Sequence, residues 1–272
     1  MTDQIIKNNA PEDPKVLYSQ TCRLARSTQG GDMQVLQARL TDTAFLAKLD
    51  TAKAYEGQTT RLRVAGLLQI LAENPSQGAQ KVLLSLTTSP VFLEQRARVD
   101  LLIQALVQIR PAPQQAVVFW DKHFQPEDGY SGVTVWALLD NGSEPAIALF
   151  EKKMVDAQFS ETERRYWLTA CVLQYRNDLP LLQACERLLE SRLEEPYRLL
   201  LVDVLFDYQP DEWYGARPWH KPPPRAKASE TALEQLRVVG RKALENQPLS
   251  SIQKEKVEMV LREVDAFLGG EK

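Results

Sequence analysis

The chain has 272 residues, 44% apolar and 25% charged, with a formal net charge of −3 and a pI near 5.6. This near-average globular balance excludes a disordered chain and a membrane-embedded one. It also disfavours a nucleic-acid partner, because neutralising phosphates needs a basic surplus.

Residues 1–58 read as N-terminal capping helices behind a flexible first dozen residues. Met1 to Pro14 is polar, with Asp3, Lys7, Glu12 and Asp13, and lacks the basic start and apolar core of a secretory signal. Two or three helices follow across 13–50, with a break at Gly30-Gly31. Residues 59–208 alternate helical apolar patterns with short polar breaks. Thr59 or Thr60 caps a helix to about Glu73 through Leu62, Leu68 and Leu71, and Asn74-Pro75-Ser76 ends it. A second helix carries Val82, Leu83 and Leu86. Ser89-Pro90 pairs an N-cap with a first-turn proline and opens a long helix through Phe92, Val99, Leu102 and Ile109. Pro111-Ala112-Pro113 stops it, and its partner runs from Val117 to Phe124.

A helix over Ser131 to Leu139 ends at Gly142, and Ser143 caps the next. Ser160 and Glu163 form a capping box before Tyr166, Trp167, Cys171 and Tyr175. Asp178 caps a helix with Leu181, Leu182, Cys185 and Leu188 on one stripe. Another spans about Glu194 to Tyr208. Residues 209–228 form a Trp/Pro-rich insertion, the least helix-like stretch of the chain. Residues 229–272 form a C-terminal helix pair: Ser229 caps the first, and Ser250 caps the last, through Val257, Val260, Val264 and Phe267. All of this reads as one continuous domain.

Val82, Val117, Ile147 and Leu181 fall at equivalent places in successive second helices, about one repeat apart. Such spacing without strand signals predicts an all-α fold: a right-handed α-α superhelix of about five to six antiparallel helix pairs. The stretch Ala137-Leu-Leu-Asp-Asn-Gly-Ser-Glu-Pro-Ala-Ile-Ala-Leu-Phe150 resembles the short HEAT-like repeat of the phycobilisome-lyase type within the armadillo-like superfamily. The resemblance covers roughly Thr59 to Tyr208 and implies a fold, not an activity.

Chemistry is sparse. His123 and His220 lack metal-ligand spacing, no phosphate-binding glycine loop exists, and Ser251-x-x-Lys254 is better explained as a helix start. No catalytic residue, metal or cofactor is therefore expected. Cys22, Cys171 and Cys185 suit reduced, buried thiols in a cytoplasm. The expected function is a non-enzymatic scaffold or adaptor whose partner is another protein, with no membrane and no small-molecule ligand. Its candidate contacts are Trp213, Tyr214, Arg217, Trp219, His220 and Arg225 on the insertion, a proline-stiffened loop of the composition interface hot spots use. Repeat phase adds exposed positions on the second helices: Gln80, Lys81, Gln114, Gln115, Lys152, Lys153, Gln183 and Arg187. Two alternatives stand beside this. One is a DNA-repair protein of the HEAT-like alkylpurine glycosylase type, with Trp120-Asp121 and Trp213 as raw ingredients and Lys152-Lys153 with Arg164-Arg165 as basic patch. The other, implied only by the resemblance, is an accessory factor for a pigment-bearing protein.

Overall fold

In the computed structural model the described residues are 14–51, 59–126, 129–191, 193–206 and 228–269, and among them there is no β-strand. Helix starts follow cap chemistry. Ser76 accepts from the Ala79 N–H at 3.2 Å and Ser89 from the Phe92 N–H at 3.3 Å. Ser229 accepts from the Ala232 N–H at 3.2 Å. Ser160 with Glu163, and Ser250 with Gln253, form complete capping boxes. Each such cap satisfies amide donors that the first turn leaves without an intrahelical acceptor.

Contacts group the chain into two compact units, Met1–His123 and Phe124–Lys272. Their boundary falls inside the 59–208 stretch expected to be one array. The first unit contains α1 (Pro14–Arg26), α2 (Gly30–Leu40), α3 (Thr43–Thr51), α4 (Thr59–Glu73), α5 (Gln77–Leu86), α6 (Pro90–Leu93), α7 (Arg96–Ala105) and α8 (Gln114–His123). The side chains of Thr59, Thr60 and Leu62 lie outside the described residues. Gly30 and Gly31 begin α2 instead of breaking a helix; the break is at 27–29. Helix α1 packs on α4 and α4 on α7, while α2 packs on α5.

The long helix expected after Ser89-Pro90 is split. It ends at Leu93, Gln95 turns extended (φ −105°, ψ 125°), and α7 restarts at Arg96. The reason lies in Arg98, which is buried. Its Nη1 donates to the Val91 carbonyl at 3.1 Å, the acceptor a continuous helix would offer to residue 95.

The second unit contains α9 (Ser131–Asn141), α10 (Glu144–Met154), α11 (Glu161–Tyr166), a π-helical segment (Trp167–Val172), α12 (Leu173–Tyr175), α13 (Leu179–Glu190), α14 (Glu195–Phe206), α15 (Glu230–Asn246) and α16 (Ser251–Leu268). One row of contacts runs from α9 to the π segment, then to α14 and α16. A second runs from α10 to α13 to α15. Buried side chains fill the space between: Leu138, Phe150, Trp167, Cys171, Leu182, Cys185, Leu205 and Val260. Trp167 meets Phe124 and Phe159 edge-on, with centroids 5.0 and 4.8 Å apart, a favoured aromatic geometry.

Three details differ from the sequence expectation. Ser143 stands at the N-cap of α10 without a side-chain cap bond, because its hydroxyl donates to Asn141 Oδ1 at 2.5 Å. Asp178 likewise makes no side-chain cap bond at α13. Phe267, read as part of the last helix's core stripe, is 52% exposed. Gly142 does close α9 in the left-handed conformation, at φ 64°.

Candidate partner-binding surface

In the second unit the candidate contacts on the second helices, Lys152, Lys153, Gln183 and Arg187, lie on α10 and α13, in the row that α15 continues. Lys152 and Gln183 are exposed. Arg187 is exposed as well, and it is held: Nε and Nη2 donate to Glu151 on α10, the closest contact being 2.8 Å. That hydrogen bond, with the charge of Glu151, raises the Arg187 pKa. On the far side of α13, Lys242 of α15 sits 2.6 Å from Glu186 and beside Glu190. Those two hydrogen bonds push the Lys242 pKa up to about 12, and Lys242 in turn lowers that of Glu186. The row therefore carries a lattice of opposite charges bridging successive helices.

Lys153 is corrected. It is 3% exposed, with Nζ over the rings of Phe124 and Phe159 at 5.6 and 5.8 Å. Its aliphatic stem packs in the core while the ammonium is held by ring faces. Arg164 is buried too, paired with Glu194 at 2.9 Å and stacked 4.3 Å over Tyr197. Arg165 pairs with Glu161 at 2.7 Å. The basic patch imagined from Lys152-Lys153 and Arg164-Arg165 thus loses two members to burial and one to an ion pair.

In the first unit Lys81 and Gln114 are exposed and Gln80 half-buried. Gln115 is spent on structure, donating to the Leu84 carbonyl at 2.9 Å and to Thr87 Oγ1 at 3.0 Å. Trp120 of the glycosylase alternative is fully buried, its indole N–H donating to the Ile103 carbonyl at 3.2 Å. Trp213, Tyr214, Arg217, Trp219, His220 and Arg225 all lie outside the described residues. Among the described residues no three His, Cys, Asp or Glu converge as a metal site, and no helix is long and apolar enough to cross a membrane. All three cysteines are buried free thiols, and burial raises the Cys185 pKa.

The other row contains a seam that sequence reasoning missed. Ser131 donates to Glu163 at 3.1 Å, the Trp136 indole N–H to the Tyr166 hydroxyl at 3.1 Å, and the Tyr175 hydroxyl to Asp140. Tyr175, expected on one apolar stripe with Trp167, is half-buried and edge-on to Trp136 at 6.0 Å. The available signal was spacing: these bonds join residues 32, 30 and 35 positions apart.

No family model, no curated protein sequence and no solved structure matches this chain. The second unit has two rows of contacting helices, one surface laced by ion pairs and one seam of aromatic and polar bonds.

Proposed function

We propose that the chain is a HEAT-like helical-repeat scaffold, a right-handed superhelix of about five to six helix pairs that binds another protein. One observation carries the reading: between residues 131 and 194, side-chain bonds between neighbouring elements recur at separations of 30 to 36 residues. In the first unit Gln115 reaches back 28 and 31 residues. In the second the separations are 30, 32, 35 and 36. Beyond residues 207–227 they lengthen to between 49 and 58, the range in which Asn74 also reaches Ala25 in the first unit. Stacked repeats of this kind create extended surfaces with little enclosed volume, which suits recognition of a protein better than catalysis.

Affinity capture with quantitative mass spectrometry tests this. The chain is compared with a Lys152→Glu/Arg187→Glu variant and a Trp213→Ala/Trp219→Ala variant. One or both should lose a partner by about tenfold while the helical circular dichroism stays unchanged; hot-spot substitutions cost this much. Retention of every partner by both variants removes the helix row and the insertion from the interface. The nucleic-acid alternative requires a salt-sensitive gel shift with micromolar protein. The pairing of Arg165 and the burial of Lys153 and Arg164 count against it.

A further inference from the structure

The turn between α9 and α10 carries the only Asn-Gly pair of the sequence, Asn141-Gly142. Such a pair is chemically labile, because glycine has no side chain to keep its amide nitrogen away from the carboxamide carbon of the asparagine before it. Asn141 is 1% exposed at the last position of α9. Two donors converge on its Oδ1: the Ser143 hydroxyl at 2.5 Å and the Ser143 amide N–H at 3.3 Å. They sit where negative charge develops when a nucleophile adds to the carboxamide, which is the arrangement of an oxyanion hole. The nucleophile itself is locked. The Gly142 N–H donates to the Leu138 carbonyl at 3.1 Å and closes the helix in the left-handed conformation, at φ 64°. The terminal bonds of a helix open at little cost, and the bonds between Asn141 and Ser143, local to the turn, survive that opening.

We propose that Asn141 is a self-deamidation site of the folded chain, unlocked by fraying of the last turn of α9 and assisted by Ser143. Freed from Leu138, the Gly142 amide gives its proton to hydroxide, and its nitrogen bonds to Asn141 Cγ. The negative charge that collects on Oδ1 is held by the two Ser143 donors. The Cγ–Nδ2 bond then breaks and ammonia leaves with a proton from water, which regenerates the hydroxide and leaves a five-membered succinimide. Water opens that ring at either carbonyl carbon, giving aspartate or isoaspartate. The net change is water consumed and ammonia released, with no electron transferred. Both products alter the turn permanently. Aspartate adds a carboxylate in a solvent-excluded position beside Asp140, at the helix end where the dipole is already negative. Isoaspartate adds a methylene to the main chain between the buried pairs Leu138-Leu139 and Ala146-Ile147, which shifts α9 against α10.

This inference is independent of the scaffold reading, since its readout is a covalent change and not capture of a partner. Peptide mapping by mass spectrometry tests it on the full chain, held for days at mildly alkaline pH with and without urea. In the folded chain Asn141 should be lost faster than any other asparagine, with isoaspartate among the products and no dependence on protein concentration. Ser143→Ala should slow that loss about tenfold, short of the roughly hundredfold that a sequestered oxyanion donor supplies. Ser143→Thr, which keeps a hydroxyl, should preserve the parent rate, and in urea all three proteins should react alike. A serine that only braced the turn would act with the opposite sign, because its removal would loosen the turn and speed the reaction. A Ser143→Ala rate equal to or above the parent's therefore overturns the inference. So does a folded chain in which Asn141 stays intact while the urea-unfolded chain loses it. Hydrogen exchange of the Gly142 amide gives a second measurement on the unaltered chain, needing no variant to fold. As urea is raised below the unfolding midpoint, Asn141 loss should rise in step with the opening of that amide, and loss that ignores it overturns the proposed lock.

Discussion

Gly240 shows what single residues decide. It lies in α15 where a Cβ would meet Leu261 Cδ2 at 2.8 Å and the Phe206 ring at 3.1 Å, and Phe206 is 1% exposed. Here glycine's role is close approach between α15, α14 and α16, and its φ is ordinary for a helix. Gly240→Val should cost about 2 to 3 kcal/mol, the usual range for overpacking a core contact, read as a lower urea midpoint. An unchanged midpoint would mean that α15 can slide away from its neighbours. Lys153 makes the complementary point. A lysine doublet in sequence looks like a solvated helix face, yet one member is surrounded by phenylalanine. Only the arrival of Phe124 and Phe159 from other segments makes that environment.

At the scale of elements, most starts were legible because capping is local. Ser76, Ser89, Ser160, Ser229 and Ser250 each meet an amide two or three residues into their own helix. Ser160→Ala should therefore destabilise by about 1 kcal/mol, measured by chemical denaturation. Its loss should also free Glu163, which bonds both Ser160 and Ser131. Elements were misread where another side chain competes with the capping rule. Arg98 takes the Val91 carbonyl and breaks the helix between Leu93 and Arg96. Asn141 takes the Ser143 hydroxyl and cancels a cap. The π-helical segment at Trp167–Val172, which packs against α9 and α14, has no cap or turn signature in the sequence.

For the whole molecule, the ion pairs between successive helices predict the pH profile. The pKa of Glu186 lies below its ordinary 4.5, first through the hydrogen bond from Lys242. The pKa of Glu194 lies below 4.5 as well, first through a hydrogen bond from its own backbone amide and then through Arg164. Carboxylates depressed on folding contribute stability above pH 4.5 and lose it as pH falls through the lowered native values. Lys242 acts oppositely. Its pKa rises from 10.5 to about 12, so its contribution is complete below pH 10.5 and fades as pH climbs toward 12. Lys242→Met should thus be less stable than the parent at pH 7. The difference should shrink on both the acid and the alkaline side, and a gap that stays constant with pH would exclude the ion pairs as its cause. The effect is modest because these groups are partly solvated.

Helix content, most helix starts and buried cysteines were determined by the sequence alone. These depend on neighbours within one or two turns. Tertiary structure decided what depends on chains meeting from afar. It buried Lys153 and Arg164, set Trp136 against Tyr166 and Tyr175, and turned Phe267 outward. Periodicity reports that a helix has an apolar face; which neighbour covers that face is a property of the packed rows.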